Sequence, residues 1–229
     1  GVIHFAAKKA VGESVEHPLM YYKTNLVSLM NLLDVMQKNG VKNLVFSSSC
    51  SVYGEPDQTQ VTEETPIKVA SSPYGNTKQI CEEIIADTAH VTDLKAICLR
   101  YFNPTGAHDS AKIGELPIGV PSNLIPYITQ TGIGLRDELT VHGGDYDTID
   151  GTCIRDYIHV VDLAQAHLKA LGHLANDCND GSVDIINIGT GNGSTVLEVV
   201  NTFKEVSGVN LRYKVGPRRE GDVIAVYAD

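Results

Sequence analysis

Pro73-Tyr74-Gly75-Asn76-Thr77-Lys78, read together with Ser47-Ser48-Ser49 upstream, decides how this chain is read. A tyrosine and a lysine four residues apart share one face of a helix. A serine at the carboxyl end of a preceding strand reaches the same spot. The three side chains make a proton-transfer device: a phenol steered by an ammonium, and a hydroxyl that holds a substrate oxygen. The spacing alone is weak. With ten tyrosines in the chain, a chance Tyr-x-x-x-Lys is ordinary and a solvated helix face is the plain alternative. Context favours the device, because the pair opens a helix just after a proline and follows a strand ending in three serines. A tyrosine titrates near 10, so a useful base at neutral pH needs its anion favoured by about two to three units. A lysine one turn away supplies part of that.

Outward from this stretch, strands and helices alternate. Val2 to Ala6 reads as a buried strand. From Pro18 to Asn39, Leu19, Tyr22, Leu26, Leu29, Leu32, Leu33 and Met36 recur at helical spacing, with proline at the start and Gly40 just past the end. Leu44-Val45-Phe46 is the next strand, Glu55 to Ser72 a loop, Pro73 to about His90 a helix, and Leu94 to Tyr101 a strand apolar enough to be covered on both faces. Repeated β-α-β units predict parallel strands and right-handed crossovers, an α/β fold with a doubly wound parallel sheet.

After Phe102 the rhythm changes. Asn103 to Ser122 reads as a long ordered loop, the kind that often carries function. Short strands follow at Leu139–His142, Ile154–Ile158 and Val183–Ile188. Helices follow at Asn123–Thr131, Val161–Ala175 and Val196–Val206, the last with Ser194 as N-cap and Gly208 as its stop. Gly189-Thr190-Gly191-Asn192-Gly193 is a weak phosphate-loop candidate and reads better as a turn between strand and helix. Both ends read as cut, with no glycine fingerprint after an opening strand, so the chain made alone is expected to be inactive.

The net charge of −10 argues against nucleic acid or an anionic membrane as partner, and no apolar run is long enough to span a bilayer. The five cysteines are odd in number and widely spaced, which reads as reduced thiols in a cytoplasmic protein. No histidine is spaced with Cys, Asp or Glu as a metal site requires; His159 reads as a structural residue before a helix.

Six stretches in order carry a specific resemblance: HFAAKKAVGES (4–14), FSSSCSVYG (46–54), PYGNTK (73–78), LRYFNPTGAH (99–108), RDYIHVVDLA (155–164) and RREGD (218–222). Together they resemble the UDP-glucose 4-epimerase family of extended short-chain dehydrogenases/reductases, from the first residue to the last. The resemblance implies a partial Rossmann domain binding NAD at 1–103 and 156–190, and a smaller α/β UDP-sugar domain at 104–155 and 191–229. It implies UDP-glucose and UDP-galactose as substrates, interconverted through a 4-keto sugar by oxidation and re-reduction at C4. Tyr74 is then the base at the 4-hydroxyl, Ser49 holds the same oxygen, and Lys78 lowers the phenol's pKa, aided by the positive nicotinamide ring. Phe5, Ala6, Ala7, Lys8, Lys9 and Phe102 line the cofactor. Asn103, Asn123 and Leu124 touch the nucleotide sugar; Thr140, Val141 and His142 border uracil; Arg155 and Arg219 fork the phosphates; Asp222 accepts from ribose. The helices opening at Pro18 and Pro73 resemble a family dimer interface, which implies a homodimer for the intact protein.

Without the order of the motifs, Arg155 reads rather as half of an ion pair with Asp156 or another acid, and Asp222 as a turn residue after Gly221. Cys50-Ser51 stands where Ala-Thr is common and makes the site a candidate for thiol sensitivity. Lys8 replaces an apolar residue, so either lysine is placed to reach the cofactor. His142 replaces an aromatic residue that packs on uracil. Val226 is smaller than the tyrosine of narrow-specificity members, so an N-acetyl group is expected to fit. A related 4,6-dehydratase needs an acid and a base beside the serine, a task Cys50-Ser51 cannot do. Sugar reductases or decarboxylases match the 219–222 stretch less well, and a non-catalytic dinucleotide-binding scaffold would not require Tyr74 or Ser49.

Overall fold

The computed structural model describes residues 1–178, 181–219 and 222–229. In chain order the elements are β1 (Val2–His4), α1 (Val11–Glu16), α2 (Pro18–Lys38), β2 (Asn43–Ser47), a 3-10 turn (Cys50–Tyr53), β3 (Gln60–Val61), α3 (Pro73–Val91), β4 (Lys95–Tyr101) and β5 (Asn103–Thr105). They continue with α4 (Leu124–Gly132), β6 (Leu139–His142), β7 (Ile154–His159), α5 (Val160–Ala175), β8 (Val183–Ile188), β9 (Gly193–Thr195), α6 (Val196–Ser207), β10 (Tyr213–Gly216) and β11 (Ala225–Ala228).

The main sheet runs β1-β2-β4-β8, parallel throughout, as the β-α-β rhythm predicts. Side chains alternate across a strand, and here both alternations are apolar. Leu44, Phe46, Ala96 and Cys98 pack under Leu29, Leu33 and Met36 of α2 and Cys81, Ile85 and Ala89 of α3. Val45, Ile97 and Leu99 pack on the other face against Ala170 and Leu174 of α5. A sheet buried on both sides is doubly wound.

A second sheet, β3-β11-β7-β5, is parallel, with β9 antiparallel to β7. A third pairs β10 with β6 and packs with α4 and α6 around Ile128, Leu139, Val141, Val200 and Leu211. Of these short strands, β6 and β7 fall where the sequence reads as strand, whereas β3 and β5 lie where it reads as loop. The expected loop at 103–122 opens with β5, and that at 55–72 contains β3.

Two further expectations are corrected. The buried stripe of α2 is Tyr21, Asn25, Leu29, Leu33 and Met36, while Leu19 is 81% exposed. The stripe tolerates a buried amide because Asn25 is fully bonded: its Oδ1 accepts from the Lys8 amide (2.8 Å), and its Nδ2 donates to the Lys8 carbonyl (3.1 Å) and to Thr77 Oγ1 (3.0 Å). Helix α6 is capped by Thr195, not Ser194. Thr195 Oγ1 accepts from the Glu198 amide and Glu198 returns the bond to the Thr195 amide, a reciprocal capping box. Gly208, left-handed at φ 69°, does end that helix.

The glycine run at 189–193 cradles an internal anion. The buried Asp156 carboxylate accepts from the amides of Thr190 (2.9 Å), Gly191 (3.1 Å) and Ala228 (3.2 Å) and from Thr190 Oγ1 (2.7 Å). Gly189 is required, because a Cβ there would collide with the carboxylate. Asp156 thus fills the nest and ties β7, the turn after β8, and β11 together.

Candidate active site

Helix α3 starts where it does because Ser72 caps it, accepting from the Gly75 amide at 3.1 Å, and Pro73 supplies the first turn. That start places Tyr74 and Lys78 against the end of β2. Ser49 is the first residue past the Ser47–Ser48 corner and itself caps the 3-10 turn, accepting from the Ser51 amide (3.2 Å) and hydroxyl (3.0 Å). Ser49 and Tyr74 line one cavity of about 760 Å³, within the range of ligand sites. The Ser49 hydroxyl faces the phenol closely enough to favour its anion.

The protein's own electrostatics do not lower the Tyr74 pKa. Burial raises it well above the usual phenol range, Tyr101 adds to the rise, and Ser49 opposes it. Lys78 makes no contribution large enough to offset burial. Its Nζ lies behind the phenol, 5.9 Å from the Tyr74 ring centroid and 4.7 Å from that of Phe46, and it donates to the Ser47 carbonyl at 2.7 Å. Lys78 is 4% exposed and is absent from the cavity wall. Burial depresses its own pKa to about 8. In the protein alone, desolvation outweighs whatever the lysine contributes.

The expected cofactor wall is split. Phe102 is buried and Lys9 exposed, and both line the cavity, whereas Phe5, Ala6, Ala7 and Lys8 do not. Phe5 is 58% exposed, with its ring 4.5 Å from that of His167. Lys8 turns to Glu13 (3.7 Å). Lys9 Nζ reaches Glu115 Oε1 (3.4 Å), which also accepts from Asn123 Nδ2 (2.9 Å). Of the two lysines, only Lys9 is placed on the cavity.

A second cavity of about 390 Å³ adjoins the first, and Asn103, Pro104, Asn123, Arg155, Arg219 and Asp222 line both. Leu124, Thr140, Val141 and His142 line the second alone. Asp222 Oδ1 sits between two guanidinium groups, accepting from Arg219 Nη2 at 2.7 Å and Nε at 3.3 Å, with Arg155 Nη2 at 3.8 Å. Arg155 therefore pairs with Asp222; Asp156 is committed to the glycine run. Glu220 and Gly221 of the RREGD stretch lie outside the described residues.

Sequence reasoning missed Tyr101 and Gln165 on the first cavity and Tyr157 on the second. Tyr157 lies two residues after Arg155 on the same strand, so strand periodicity put it on the same face. Cys50 lines the first cavity, and burial pushes its thiol up to about 11. It stays protonated at neutral pH, which argues against the expected thiol sensitivity. His159 caps α5, with Nδ1 accepting from the Val161 amide at 3.2 Å. All five cysteines are free. Among the described residues no helix is long and apolar enough to cross a membrane, and no cluster of His, Cys, Asp or Glu is arranged to hold a metal ion.

A parallel sheet covered on both faces, with a phenol and a serine hydroxyl lining a cavity at its carboxyl edge, is the architecture of doubly wound nucleotide-binding α/β folds. The chain belongs to the NAD dependent epimerase/dehydratase family, whose model matches residues 1–189. It is 52% identical over 229 residues to UDP-glucose 4-epimerase of Homo sapiens, covering 100% of this chain and 65% of that protein. It is 54% identical over 229 residues to UDP-glucose 4-epimerase 2 of Arabidopsis thaliana, covering 99% of this chain and 64% of that protein. The solved structure of UDP-glucose 4-epimerase from Bifidobacterium longum, in complex with NAD+ and UDP, matches with a TM-score of 0.94 and 47% identity, covering 100% of this chain and 67% of that one. The chain thus spans just under two thirds of the length of the first two relatives.

Proposed function

We propose that this chain carries the acid–base and substrate-binding chemistry of a UDP-glucose/UDP-galactose 4-epimerase. One observation carries the reading: Ser49 and Tyr74 meet in a cavity that opens onto paired arginines. A hydroxyl pair next to a diphosphate fork fits a hexose bonded to a nucleoside diphosphate.

The residues present fit a dinucleotide. Lys9 offers a cation at the rim, Phe102 an apolar floor, and the buried Lys78 ammonium keeps N–H donors beyond the one it gives to Ser47. Phe5 to Lys9, Ser49, Tyr74, Lys78 and Phe102 would hold it. Bound NAD supplies a hydride acceptor and donor and brings a positive charge. Tyr74 Oη takes the proton of the 4-hydroxyl, and Ser49 Oγ holds that oxygen as the carbonyl forms. The same phenol returns the proton when the hexose is reduced on its other face. Arg155 and Arg219 grip the diphosphate while the sugar turns, Asn103, Asn123 and Leu124 contact the nucleotide sugar, Thr140, Val141 and His142 border the base, and Asp222 accepts from ribose.

In this reading residues 1–103 and 156–190 bind the cofactor and 104–155 and 191–229 the nucleotide sugar. A homodimer is supported by Val27, Met30 and Val35 of α2, each more than 40% exposed. Free cysteines support a cytoplasmic setting. Val226 on the cavity wall supports acceptance of an N-acetylated hexose, and absent turnover of UDP-N-acetylglucosamine would refute that point.

The deciding experiment follows UDP-galactose by proton NMR with the full-length protein. UDP-glucose accumulates with the wild type. With Tyr74→Phe, kcat falls by about 100- to 10,000-fold. A wild-type protein that leaves UDP-galactose unchanged would overturn the reading.

A further inference from the structure

Three residues of α3, each four apart, meet three consecutive residues at the end of β2. Tyr74 faces the Ser49 hydroxyl. Lys78 Nζ donates to the Ser47 carbonyl at 2.7 Å. Glu82 Oε1 accepts from the Ser48 hydroxyl at 2.5 Å. The first two contacts belong to the acid–base pair; the third has no part in the chemistry.

Glu82 is buried and is gripped by Arg100 of β4, whose Nη2 donates to Oε2 at 2.7 Å and whose Nε lies 3.1 Å from Oε1 and 3.3 Å from Oε2. The guanidinium lies 4.9 Å from the ring centroid of Tyr53, and the Tyr53 hydroxyl donates to Asn187 Oδ1 at 2.6 Å. Tyr53 closes the 3-10 turn that Ser49 opens. One ion pair therefore clamps the segment carrying Ser49 at both ends, Ser48 through Glu82 and Tyr53 through Arg100. A buried ion pair is a poor source of stability, since desolvation cancels most of its attraction and apolar residues of the same volume do as well. What it supplies here is fixed geometry.

We propose that Glu82, held by Arg100, is a positioning residue for the acid–base pair: through Ser48 it fixes the strand end that presents the Ser47 carbonyl to Lys78 and the Ser49 hydroxyl to Tyr74. The effect on rate rests on the 4-epimerase reading; the effect on Lys78 does not. Glu82 has a second action on the lysine, because its negative charge favours the ammonium. The other groups acting on Lys78 are Cys81 on the same helix and Cys98 on β4, with His4 on β1 and the Phe46 and Tyr74 rings beside it.

The test uses full-length holoenzyme and two variants. Ser48→Ala removes only the third contact. Its kcat falls on the order of 10- to 100-fold with KM for UDP-galactose unchanged, as expected for a misplaced reacting group. The double variant E82Q/R100M removes both charges without orphaning either. In it the Lys78 Nζ resonance, followed by nitrogen-15 NMR without substrate, titrates at lower pH than in the wild type, and the basic limb of kcat moves the same way. A folded S48A with wild-type kcat overturns the proposal, as does an unchanged Lys78 titration in E82Q/R100M. If the wild type has no epimerase activity, the functional reading fails, and the Lys78 titration alone decides this inference.

Discussion

Two arginine–carboxylate clusters flank the cavity system, and they are built in opposite ways. Arg100 and Glu82, behind the Ser49–Tyr74 pair, are 5% and 8% exposed at the side chain and have several fixed partners. Arg219, in front of it, is 49% exposed and shares a single Asp222 oxygen with Arg155. A buried pair cannot exchange partners without stranding a charge. In the front cluster Asp222 and Arg155 are only 12% and 16% exposed, so it is the half-exposed Arg219 that is held by little net energy and exchanges readily. In the proposed 4-epimerase reading, the rear cluster would fix the reacting atoms, and the front cluster would release a carboxylate and take up phosphates. Fixed geometry should govern kcat, and exchangeable charge should govern binding.

The sharpest way to break this contrast is to compare Tyr74→Phe with Arg219→Met. The first lowers kcat by about 100- to 10,000-fold and leaves KM near its wild-type value. The second raises KM by about 10- to 100-fold, the worth of one charged hydrogen-bonding fork, with kcat nearly kept. Steady-state kinetics with UDP-galactose separates them. A large kcat loss in Arg219→Met would place that side chain in the chemistry and erase the distinction.

A third cluster sharpens the point. Asp156 is wholly buried and answers to backbone amides, not to an arginine. Asp156→Ala should cost on the order of 3–5 kcal/mol, because several buried amides lose their acceptor together. Urea unfolding of the full-length protein checks this. A loss below about 1 kcal/mol would mean that the glycine run holds itself without the carboxylate.

Much of this was legible in the sequence. The placement of Tyr74 and Lys78 on one helix beside the strand end that carries Ser49 was readable because helix periodicity and a strand-end corner fix it locally. The doubly wound sheet was readable from apolar strands alternating with helices. The partners of charge were not. Arg155 lies next to Asp156 in sequence, yet Asp156 points into the 189–193 turn and Arg155 reaches Asp222, which precedes the neighbouring strand β11. Such pairings depend on which strands become neighbours, and β5, β9 and β11 are too short for periodicity to reveal. The α2 stripe was misplaced at Leu19 for a related reason: Asn25, polar and buried, is explained only by Lys8 and Thr77. The burial that raises the Tyr74 pKa in the protein alone was not legible, because spacing gives proximity and not desolvation.

The smallest expected effect concerns the lysine itself and reverses the usual sign of a functional-residue substitution. Burial holds the Lys78 pKa at about 8, below the usual lysine value near 10.4. Between those values the unfolded chain binds the proton and the folded one releases it, so this group makes stability rise with pH across that window. Below about 8 both states are charged, and the folded state bears the whole desolvation cost. Lys78→Met abolishes that cost and forfeits the bond to the Ser47 carbonyl, for a net gain of roughly 1–2 kcal/mol at pH 7. The advantage should shrink steadily from pH 8 to 10. Above pH 10 the reading is confounded, since Tyr74, whose pKa burial raises, then costs stability as unfolded tyrosine ionises. Thermal unfolding of both proteins at pH 7, 8, 9 and 10 gives the test. A variant less stable than the wild type at pH 7 would show that the ammonium is better satisfied than its single hydrogen bond to Ser47 indicates.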